Sequence, residues 1–214
     1  MKNIDKILII GCGGHCRFMI SVIRSIGLSI EGIIDTNNEF DASETIMGIN
    51  VIGSVDNLES FYKKGFKNVS IALGDNELRK IMYKDIKKYG FNLPNIIHPS
   101  AKIDISSNLD EGNIIGPNVV LGAETSIGSN NILNSSSVIE HQCKIGNHCH
   151  VSLASVLCGN VTLGDEVFVG ANSTVIENLN VANRTKIGAS TTVISDINEE
   201  GVLALGSPHK IIKT

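Results

Sequence analysis

The stretch from residue 115 to residue 145, IGPNVVLGAETSIGSNNILNSSSVIEHQCKI, carries an Ile or a Leu at every sixth position. The same spacing extends from Ile97 to Val193, where all seventeen positions are Ile, Leu or Val and no residue is inserted. A period of six fits neither an amphipathic helix, which repeats near 3.6 residues, nor an alternating strand. Such an internal repeat is typical of a solenoid. It therefore predicts a left-handed parallel β-helix over these residues.

Three hexapeptides are expected to form one triangular coil, with one short strand on each side. The aliphatic residue points inward and stacks on its counterparts in the neighbouring coils. Four positions later the residue is usually small or β-branched and fills the remaining space, as at Ser137 and Cys143. Glycine often follows the aliphatic residue, as at Gly122 and Gly146, and is expected to ease the corner of the coil.

The composition of the 214-residue chain limits the classes of function. Hydrophobic residues make up 42%, whereas Trp is absent and aromatic residues make up 4%, which suits narrow layers of small side chains. The formal net charge of −4, without a basic run, argues against a nucleic-acid partner. Neither a membrane-spanning stretch nor a signal peptide is recognisable, so we expect a soluble, cytoplasmic protein. The five cysteines do not resemble a disulfide framework.

Residues 1–94 lack the repeat and are predicted to form a Rossmann-like domain, with the β-helix domain and a C-terminal tail over 95–214. The predicted elements are a strand over Lys6–Ile10, a helix that stops at Gly27, strands over Gly32–Asp35 and Asn68–Leu73, and a helix from about Glu77 to Tyr89. Alternating strands and helices predict a small parallel α/β sheet. Ligands of such sheets bind beyond the carboxyl ends of the strands, where three of these loops are expected to converge.

The first of these loops is glycine-rich, with GCGGH at residues 11–15. A glycine-rich turn before a helix can present backbone N–H groups to a phosphate, although this one lacks the full dinucleotide-binding pattern. Together with Asp35 after the next strand, it favours a nucleotide-type ligand. The plain structural alternative is a tight strand-to-helix turn. The thiols of Cys12 and Cys16 near His15 favour packing over zinc binding, so no metal is predicted.

One stretch of the repeat departs from the glycine pattern. Asn134 and Glu140 stand where glycine is usual in two consecutive hexapeptides, and His141 follows. Corner positions are expected to point outward, so these polar groups are predicted to lie on the surface of the prism. His148 and His150 come one hexapeptide later, and together the polar residues favour a functional cluster over solvated side chains. A metal site there is disfavoured because the cysteine between the two histidines occupies an inward position.

Several motifs resemble those of the hexapeptide-repeat acetyltransferases of the sialic acid O-acetyltransferase type. This group includes N-acetyltransferases for UDP-linked 4-amino-4,6-dideoxy sugars, such as the bacillosamine pathway enzyme. The motifs are GCGGH, IID, IALGDNELRK, NSSSVIEHQCKIG, HVSLASVLCGNV and GSPHK, and they span nearly the whole chain.

This resemblance implies an acetyl-CoA-dependent N-acetyltransferase that acts on the 4-amino group of a nucleotide-linked 4-amino-4,6-dideoxy sugar and serves surface polysaccharide biosynthesis. It also implies a homotrimer, with acetyl-CoA as cosubstrate in the groove between adjacent β-helices. The sugar nucleotide would be held by the N-terminal domain.

The same resemblance implies roles for individual residues. His141 matches the general base and Asn134 an active-site amide, while Glu140 and Gln142 flank the base. The predicted acetyl-CoA contacts are His150, Ala171 and Ala189. The predicted sugar-nucleotide pocket consists of Gly13, Gly14, His15, Asp35, Gly74 and Glu77.

These residue types suit acetyl transfer from a thioester. Imidazole titrates near neutrality and can remove the proton of an attacking amine. Because a thioester is already activated, direct transfer without an acyl-enzyme is expected. The tetrahedral oxyanion needs a donor, either a backbone N–H of the coil or the His150 ring. Two positions depart from the family: Gln142 stands where an acid commonly follows the catalytic histidine, and His209 stands where the tail prefers alanine.

Three other functions compete with this interpretation. O-acetylation of sialic acid or of another sugar hydroxyl would need a stronger base, so Gln142 favours an amine. In a non-catalytic β-helix that only binds sugar nucleotides, His141 would have no catalytic role. A γ-class carbonic anhydrase would need histidine ligands for zinc. The sequence leaves open whether the nucleotide is UDP, dTDP or GDP, and it leaves open the stereochemistry of the sugar.

Overall fold

The computed structural model describes residues 6–37, 41 and 43–212. The chain divides into two compact units, one ending at Ile96 and the other beginning at Ile97. The predicted boundary, between residues 94 and 95, lies two residues before this division. Each unit contains a cluster of buried hydrophobic side chains of its own.

The first unit is a five-stranded α/β sheet with the strand order β3-β4-β2-β1-β5. Its strands are β1 (Lys6–Ile10), β2 (Ser29–Asp35), β3 (Thr45–Ile46), β4 (Ile49–Ser54) and β5 (Val69–Ile71), and its helices are α1 (Gly14–Ser25), α2 (Leu58–Lys63) and α3 (Asn76–Tyr89), with a 3₁₀ turn over Val55–Asn57. The pairings are parallel except for β3 with β4. The predicted parallel α/β sheet is confirmed, while β3, β4 and α2 are short elements that the sequence pattern does not predict.

The ends of α1 and α3 follow from local chemistry. Asp75 caps α3, since its carboxylate accepts the N–H of Leu78 at 2.9 Å. The helix ends at Gly90, whose φ of 84° suits glycine. The first turn of α1 follows Gly13 and has neither a capping side chain nor an acidic residue. No helix in the described part of the chain is long and apolar enough to cross a membrane.

The loops after β1 and β5 lie at the carboxyl edge of the sheet. β1 pairs with β2 on one side and with β5 on the other, so the strand order changes direction between β1 and β5. Ligands of open α/β sheets bind at such a switch point. Gly11, with φ of 111°, allows the two strand ends to approach, because a Cβ there would lie 3.0 Å from the carbonyl oxygen of Ala72.

The second unit is a left-handed parallel β-helix whose strands form three sheets, the sides of a prism. Side 1 contains β7 (Lys102–Ile103), β10 (Val120–Leu121), β13 (Val138–Ile139), β16 (Val156–Leu157), β19 (Thr174–Val175) and β22 (Thr192–Val193). Side 2 contains β8 (Asn108–Leu109), β11 (Ser126–Ile127), β14 (Lys144–Ile145), β17 (Thr162–Leu163) and β20 (Asn180–Val181). Side 3 contains β6 (Ile96–Ile97), β9 (Ile114–Ile115), β12 (Ile132–Leu133), β15 (His150–Val151), β18 (Phe168–Val169), β21 (Lys186–Ile187), β23 (Leu203–Leu205) and β24 (Lys210–Ile212).

Successive strands of one side are 18 residues apart, so one coil consists of three hexapeptides, as predicted. The second residue of each short strand is the aliphatic residue of the repeat, and from Ile115 to Val193 these side chains are only 0–3% exposed. Burial of one such side chain stabilises the fold by roughly 1.5–3 kcal/mol. The buried Ser155 hydroxyl beside them donates to the carbonyl of Gly170 in the next coil at 2.8 Å.

The glycines that follow the aliphatic residues have a different role from the predicted one. The left-handed residue of each turn is the third after the aliphatic residue and is rarely glycine, for example Gln142 with φ of 60°. Gly122 and Gly146 are not left-handed. Instead, the next coil passes close to them, since a Cβ on Gly122 would lie 2.7 Å from the backbone nitrogen of His141. Glycine is therefore required by close stacking of the coils and not by the corner conformation.

Replacing Gly128 by Ala is expected to lower the free energy of unfolding by about 1–3 kcal/mol. The new Cβ would lie 2.7 Å from the backbone oxygen of Gly146 in the next coil. Gly188→Ala is the matched control, because the closest atom to its Cβ is the end of the exposed Leu205 side chain, which can move. Denaturant unfolding followed by circular dichroism compares the two variants. Equal losses would contradict coil stacking as the reason for glycine.

Candidate active site

His141 lies on the corner between side 1 and side 2, directly after β13. The turn is held by Gln142, whose N–H donates to the carbonyl of Ala123 in the preceding coil at 2.8 Å. The side chains of Glu140, His141 and Gln142 are all exposed. The imidazole is therefore accessible to a ligand while its backbone belongs to a rigid element.

The ring of His141 lies against Gly159, the residue one coil later. A Cβ on Gly159 would lie 2.5 Å from the Cε1 atom and 2.7 Å from the Nε2 atom of His141. The backbone of Gly159 is not left-handed, so no conformational reason demands glycine there. Glycine at this position makes room for the imidazole.

The two sequence neighbours of His141 contact it in different ways. The Nδ1 atom lies 3.3 Å from Gln142 Oε1, and it donates to that oxygen in the tautomer with the hydrogen on Nδ1. The Nε2 atom then carries the lone pair. Glu140 Oε2 accepts the backbone N–H of His141 at 3.4 Å. The amide of Gln142, and not the carboxylate of Glu140, therefore orients the ring.

Asn134 and His150 meet near the corner between side 3 and side 1. The Nδ2 atom of Asn134 lies 3.5 Å from His150 Nε2, and its Oδ1 atom accepts the N–H of Ser135 at 2.8 Å. The His150 ring packs edge-on against Phe168 with a centroid distance of 5.2 Å. Asn134 is only 8% exposed and His150 only 7%. The prediction that Asn134 lies on the surface is wrong, because the side chain of His150 in the next coil packs beside it.

Ala171 and Ala189 lie on the same corner as Asn134. They occupy the position of Ser135 two and three coils later. Neighbouring coils are about 4.8 Å apart, so these residues extend over roughly 15 Å along the prism. We refer to Asn134, His150, Ala171 and Ala189 as the Asn134 strip. Its extended form fits an elongated ligand.

One chain does not bring all predicted residues of the β-helix together. The Asn134 strip lies where side 3 meets side 1, whereas His141 lies where side 1 meets side 2. The strand β13 separates the two corners. The structure thus groups the predicted acetyl-CoA contacts with Asn134 and leaves the predicted base on the neighbouring corner.

His148 and the cysteines of the β-helix have structural contacts. The Nδ1 atom of His148 lies 2.8 Å from Asn130 Nδ2. The thiol of Cys143 donates to the carbonyl of Cys158 at 3.1 Å, and burial raises the pKa of both thiols. A protonated thiol is a poor nucleophile. Within the described residues, no group of three or more His, Cys, Asp or Glu side chains could hold a metal ion.

Three glycines at the carboxyl edge of the first unit have open space where a side chain would lie. A Cβ on Gly13, Gly14 or Gly74 would meet no atom within 4 Å, and none of the three has a positive φ. The fold itself does not require glycine at these positions. Glycine here keeps the N-terminus of α1 accessible, which suits an anion. Glu77, in the first turn of α3, is exposed.

Asp35 and His15 are set deeper in the same edge. Asp35 ends β2, is 7% exposed and accepts the N–H of Asn37 at 3.0 Å. Burial and the negative charge of the nearby Asp35 raise the pKa of Cys12 to about 12. Burial and the positive charge of Arg79 lower the pKa of His15 to about 4, so its ring is neutral near pH 7.

Comparison with known proteins places this geometry in a family. Residues 6–86 match the PglD N-terminal domain. The chain is 33% identical to PerB from Caulobacter crescentus, a GDP-perosamine N-acetyltransferase solved with CoA and GDP-perosamine, over 99% of each chain and with a TM-score of 0.92. The chain belongs to this family of sugar N-acetyltransferases.

A second relative agrees with this assignment. The acetyltransferase domain of PglB from Neisseria gonorrhoeae, solved with acetyl coenzyme A, is 25% identical over 98% of this chain and 100% of that chain, with a TM-score of 0.89. PerB was also solved with one histidine replaced by alanine or by asparagine. The family resemblance and the β-helix fold predicted from the sequence are confirmed.

Two residues that contact candidate site residues of this N-acetyltransferase are not among the predicted ones. Gly159 has a signal in the sequence, because it lies 18 residues after His141 and therefore stacks on it. Arg79, which is fully buried in α3, has no such signal. Its acceptors include backbone carbonyl oxygens, which any residue type can supply.

In the N-acetyltransferase, Gly159→Ala is expected to lower kcat by about 10- to 100-fold, because the new Cβ displaces the His141 ring. Stability should be nearly unchanged, since the exposed ring can turn toward solvent. Gly128→Ala should show the converse, a loss of stability with kcat retained by the folded protein. Steady-state kinetics and thermal unfolding of both variants test this. A wild-type kcat in Gly159→Ala would contradict the role of this contact.

Proposed function

We propose that this chain transfers the acetyl group of acetyl-CoA to the 4-amino group of a nucleotide-linked 4-amino-4,6-dideoxy sugar, with His141 as the general base. The observation that carries the proposal is the His141 imidazole, which is exposed, lies on Gly159 and has Nδ1 3.3 Å from Gln142 Oε1. It belongs to a chain that is 33% identical to an enzyme solved with CoA and GDP-perosamine.

The proposed reaction needs one group that accepts and returns a proton. The sugar amine attacks the thioester carbonyl carbon, and its proton moves to His141 Nε2. The tetrahedral intermediate then collapses, the carbon–sulfur bond breaks, and the CoA thiolate takes the proton back from the imidazolium. The hydrogen bond from Nδ1 to Gln142 stabilises the tautomer with the hydrogen on Nδ1, which leaves Nε2 free to accept the proton of the amine. General base catalysis of this kind contributes about 10²- to 10⁴-fold.

The developing oxyanion needs a hydrogen-bond donor near the thioester. A backbone N–H of the coil and the ring of His150 are the proposed donors, with Asn134 3.5 Å from that ring. Ala171 and Ala189, further along the Asn134 strip, are the proposed backbone contacts of the pantetheine arm. Cys143 is assigned no step, since burial raises its pKa and its thiol is committed to a carbonyl.

The first unit is proposed to hold the nucleotide part of the sugar substrate. Gly13 and Gly14 expose the uncapped N-terminus of α1, where a diphosphate is favoured by the N–H groups and the helix dipole. His15 and Asp35 border the same edge, the first as a neutral ring and the second as a carboxylate fixed by Asn37. Gly74 and Glu77 are the proposed contacts from the loop after β5 and from α3.

An amine is favoured over a hydroxyl as the acceptor. A neutral amine is the better nucleophile and depends less on the strength of the base. The side chain next to the ring is Gln142, an amide that orients His141 without a negative charge to stabilise the imidazolium. The relative PerB is likewise an N-acetyltransferase.

We also propose a homotrimer with active sites between subunits. The support is that His141 and the Asn134 strip lie on different corners of one prism. In a trimer, the corner that carries His141 in one copy would face the Asn134 strip of a neighbouring copy. The thioester would then lie between the two.

The proposal is tested by thiol release from acetyl-CoA in the presence of 4-amino sugars linked to UDP, dTDP or GDP. The wild-type chain should react with at least one of them, and His141→Ala should lower kcat by about 10²- to 10⁴-fold. His98→Ala, at a histidine whose ring bonds Ser100 at 2.8 Å, is the matched control and should keep the rate. Full turnover in His141→Ala would contradict the base, and activity on sialic acid alone would contradict the acceptor.

Gln142→Glu is expected to move the acidic limb of the pH–rate profile up by about one pH unit. The added carboxylate stabilises the protonated imidazole, so the base becomes available only at higher pH. Glutamate fits this turn, since Glu124 has φ of 58° at the same position one coil earlier. Glu124→Gln is the control and should leave the profile of kcat/KM unchanged. An unchanged profile in Gln142→Glu would contradict the contact between this side chain and the base.

A further inference from the structure

Arg79 is a charged side chain that the proposed reaction does not use, and its residue is 0% exposed. Its Nη1 atom donates to the carbonyl oxygens of Leu73 and Gly74, at 3.1 and 3.3 Å. Its Nη2 atom donates to Asn76 Oδ1 at 2.8 Å. Burial of a guanidinium costs several kcal/mol unless its donors are satisfied, so these bonds are needed to keep it there.

These contacts place Arg79 against the loop after β5, beside the switch point between β1 and β5. Leu73 and Gly74 belong to the loop after β5, which borders the switch point of the sheet. The charge of Arg79 also acts on His15, in the first turn of α1 after the loop that follows β1. The Arg79 side chain thus holds the loop after β5 by hydrogen bonds and acts on the first turn of α1 through its charge.

The hydrogen bond to Gly74 also orients a neighbouring backbone donor. The carbonyl of Gly74 and the N–H of Asp75 belong to one planar trans peptide and point in opposite directions. Because Arg79 holds this carbonyl, the N–H of Asp75 is turned away from the guanidinium. A Cβ on Gly74 would meet no atom within 4 Å, so there is open space beside this peptide.

We propose that Arg79 is the positioning residue of the sugar-nucleotide pocket, which fixes the Gly74–Asp75 peptide so that its N–H faces the diphosphate or the sugar. The inference rests on the proposed function, which assigns this edge of the sheet to the sugar nucleotide. Arg79 itself touches no substrate. Its loss should weaken nucleotide binding without affecting acetyl-CoA.

The test compares Arg79→Lys with Arg24→Lys. Lysine keeps the positive charge but lacks the planar fork, so it cannot hold the carbonyls and Asn76 together. Arg24 also donates to a backbone carbonyl, that of Met47 at 2.7 Å, but it is exposed on α1 and serves as the matched control. In the thiol-release assay, Arg79→Lys is expected to raise KM for the sugar nucleotide by about 10- to 100-fold. It should leave KM for acetyl-CoA unchanged, and Arg24→Lys should change neither.

Calorimetric titration with UDP, dTDP and GDP separates this inference from the acetyl transfer. If the wild-type chain transfers acetyl groups and Arg79→Lys keeps its nucleotide KM, the role of Arg79 is overturned and the proposed function stands. If no amino sugar reacts but a nucleoside diphosphate binds at least about 10-fold more weakly to Arg79→Lys, the acetyl transfer fails and the role of Arg79 stands. Should Arg79→Lys not fold, Asn76→Ala removes one acceptor only, and an unchanged nucleotide KM there overturns the inference.

Discussion

Stacking of each coil on the next, 18 residues further along the chain, is the constraint on which both the core and the proposed catalytic residues depend. Hydrogen bonds such as that from the Val138 N–H to the Ser155 carbonyl, at 2.9 Å, join neighbouring coils. Inside the prism, the stacking places aliphatic residues on one another. On the outer surface of the prism, the stacking determines which side chains are in contact, because coils about 4.8 Å apart leave little space between them.

The proposed catalytic residues lie at positions where the sequence departs from the usual residues of the repeat. The His141 ring occupies space that a side chain larger than that of Gly159 would fill. Asn134 occupies a position that other coils give to glycine, as at Gly116 and Gly170. Asn134 is accommodated beside His150, whose ring packs on Phe168. A rigid prism with few such openings holds its polar groups in place before the substrates bind, which is the preorganisation that favours catalysis.

The sequence predicts the architecture better than the site. Seventeen aliphatic residues at a period of six predict a β-helix, and the strands from Ile97 to Val193 have this spacing. The sequence does not reveal the role of the glycines, because a left-handed corner and a closely stacked coil both favour glycine and differ only in φ. The burial of Asn134 depends on His150, 16 residues later, and Arg79 depends largely on backbone carbonyls. Neither contact leaves a periodic signal.

The central claim is that coil stacking holds His141 as the base for acetylation of an amine. A crystal structure of the protein with CoA and a nucleotide-linked 4-amino sugar tests it most directly. The sugar amine should lie within about 3 Å of His141 Nε2, with the ring still on Gly159 and Nδ1 directed at Gln142. A complex in which the amine lies elsewhere, or in which the ring has left Gly159, would contradict it.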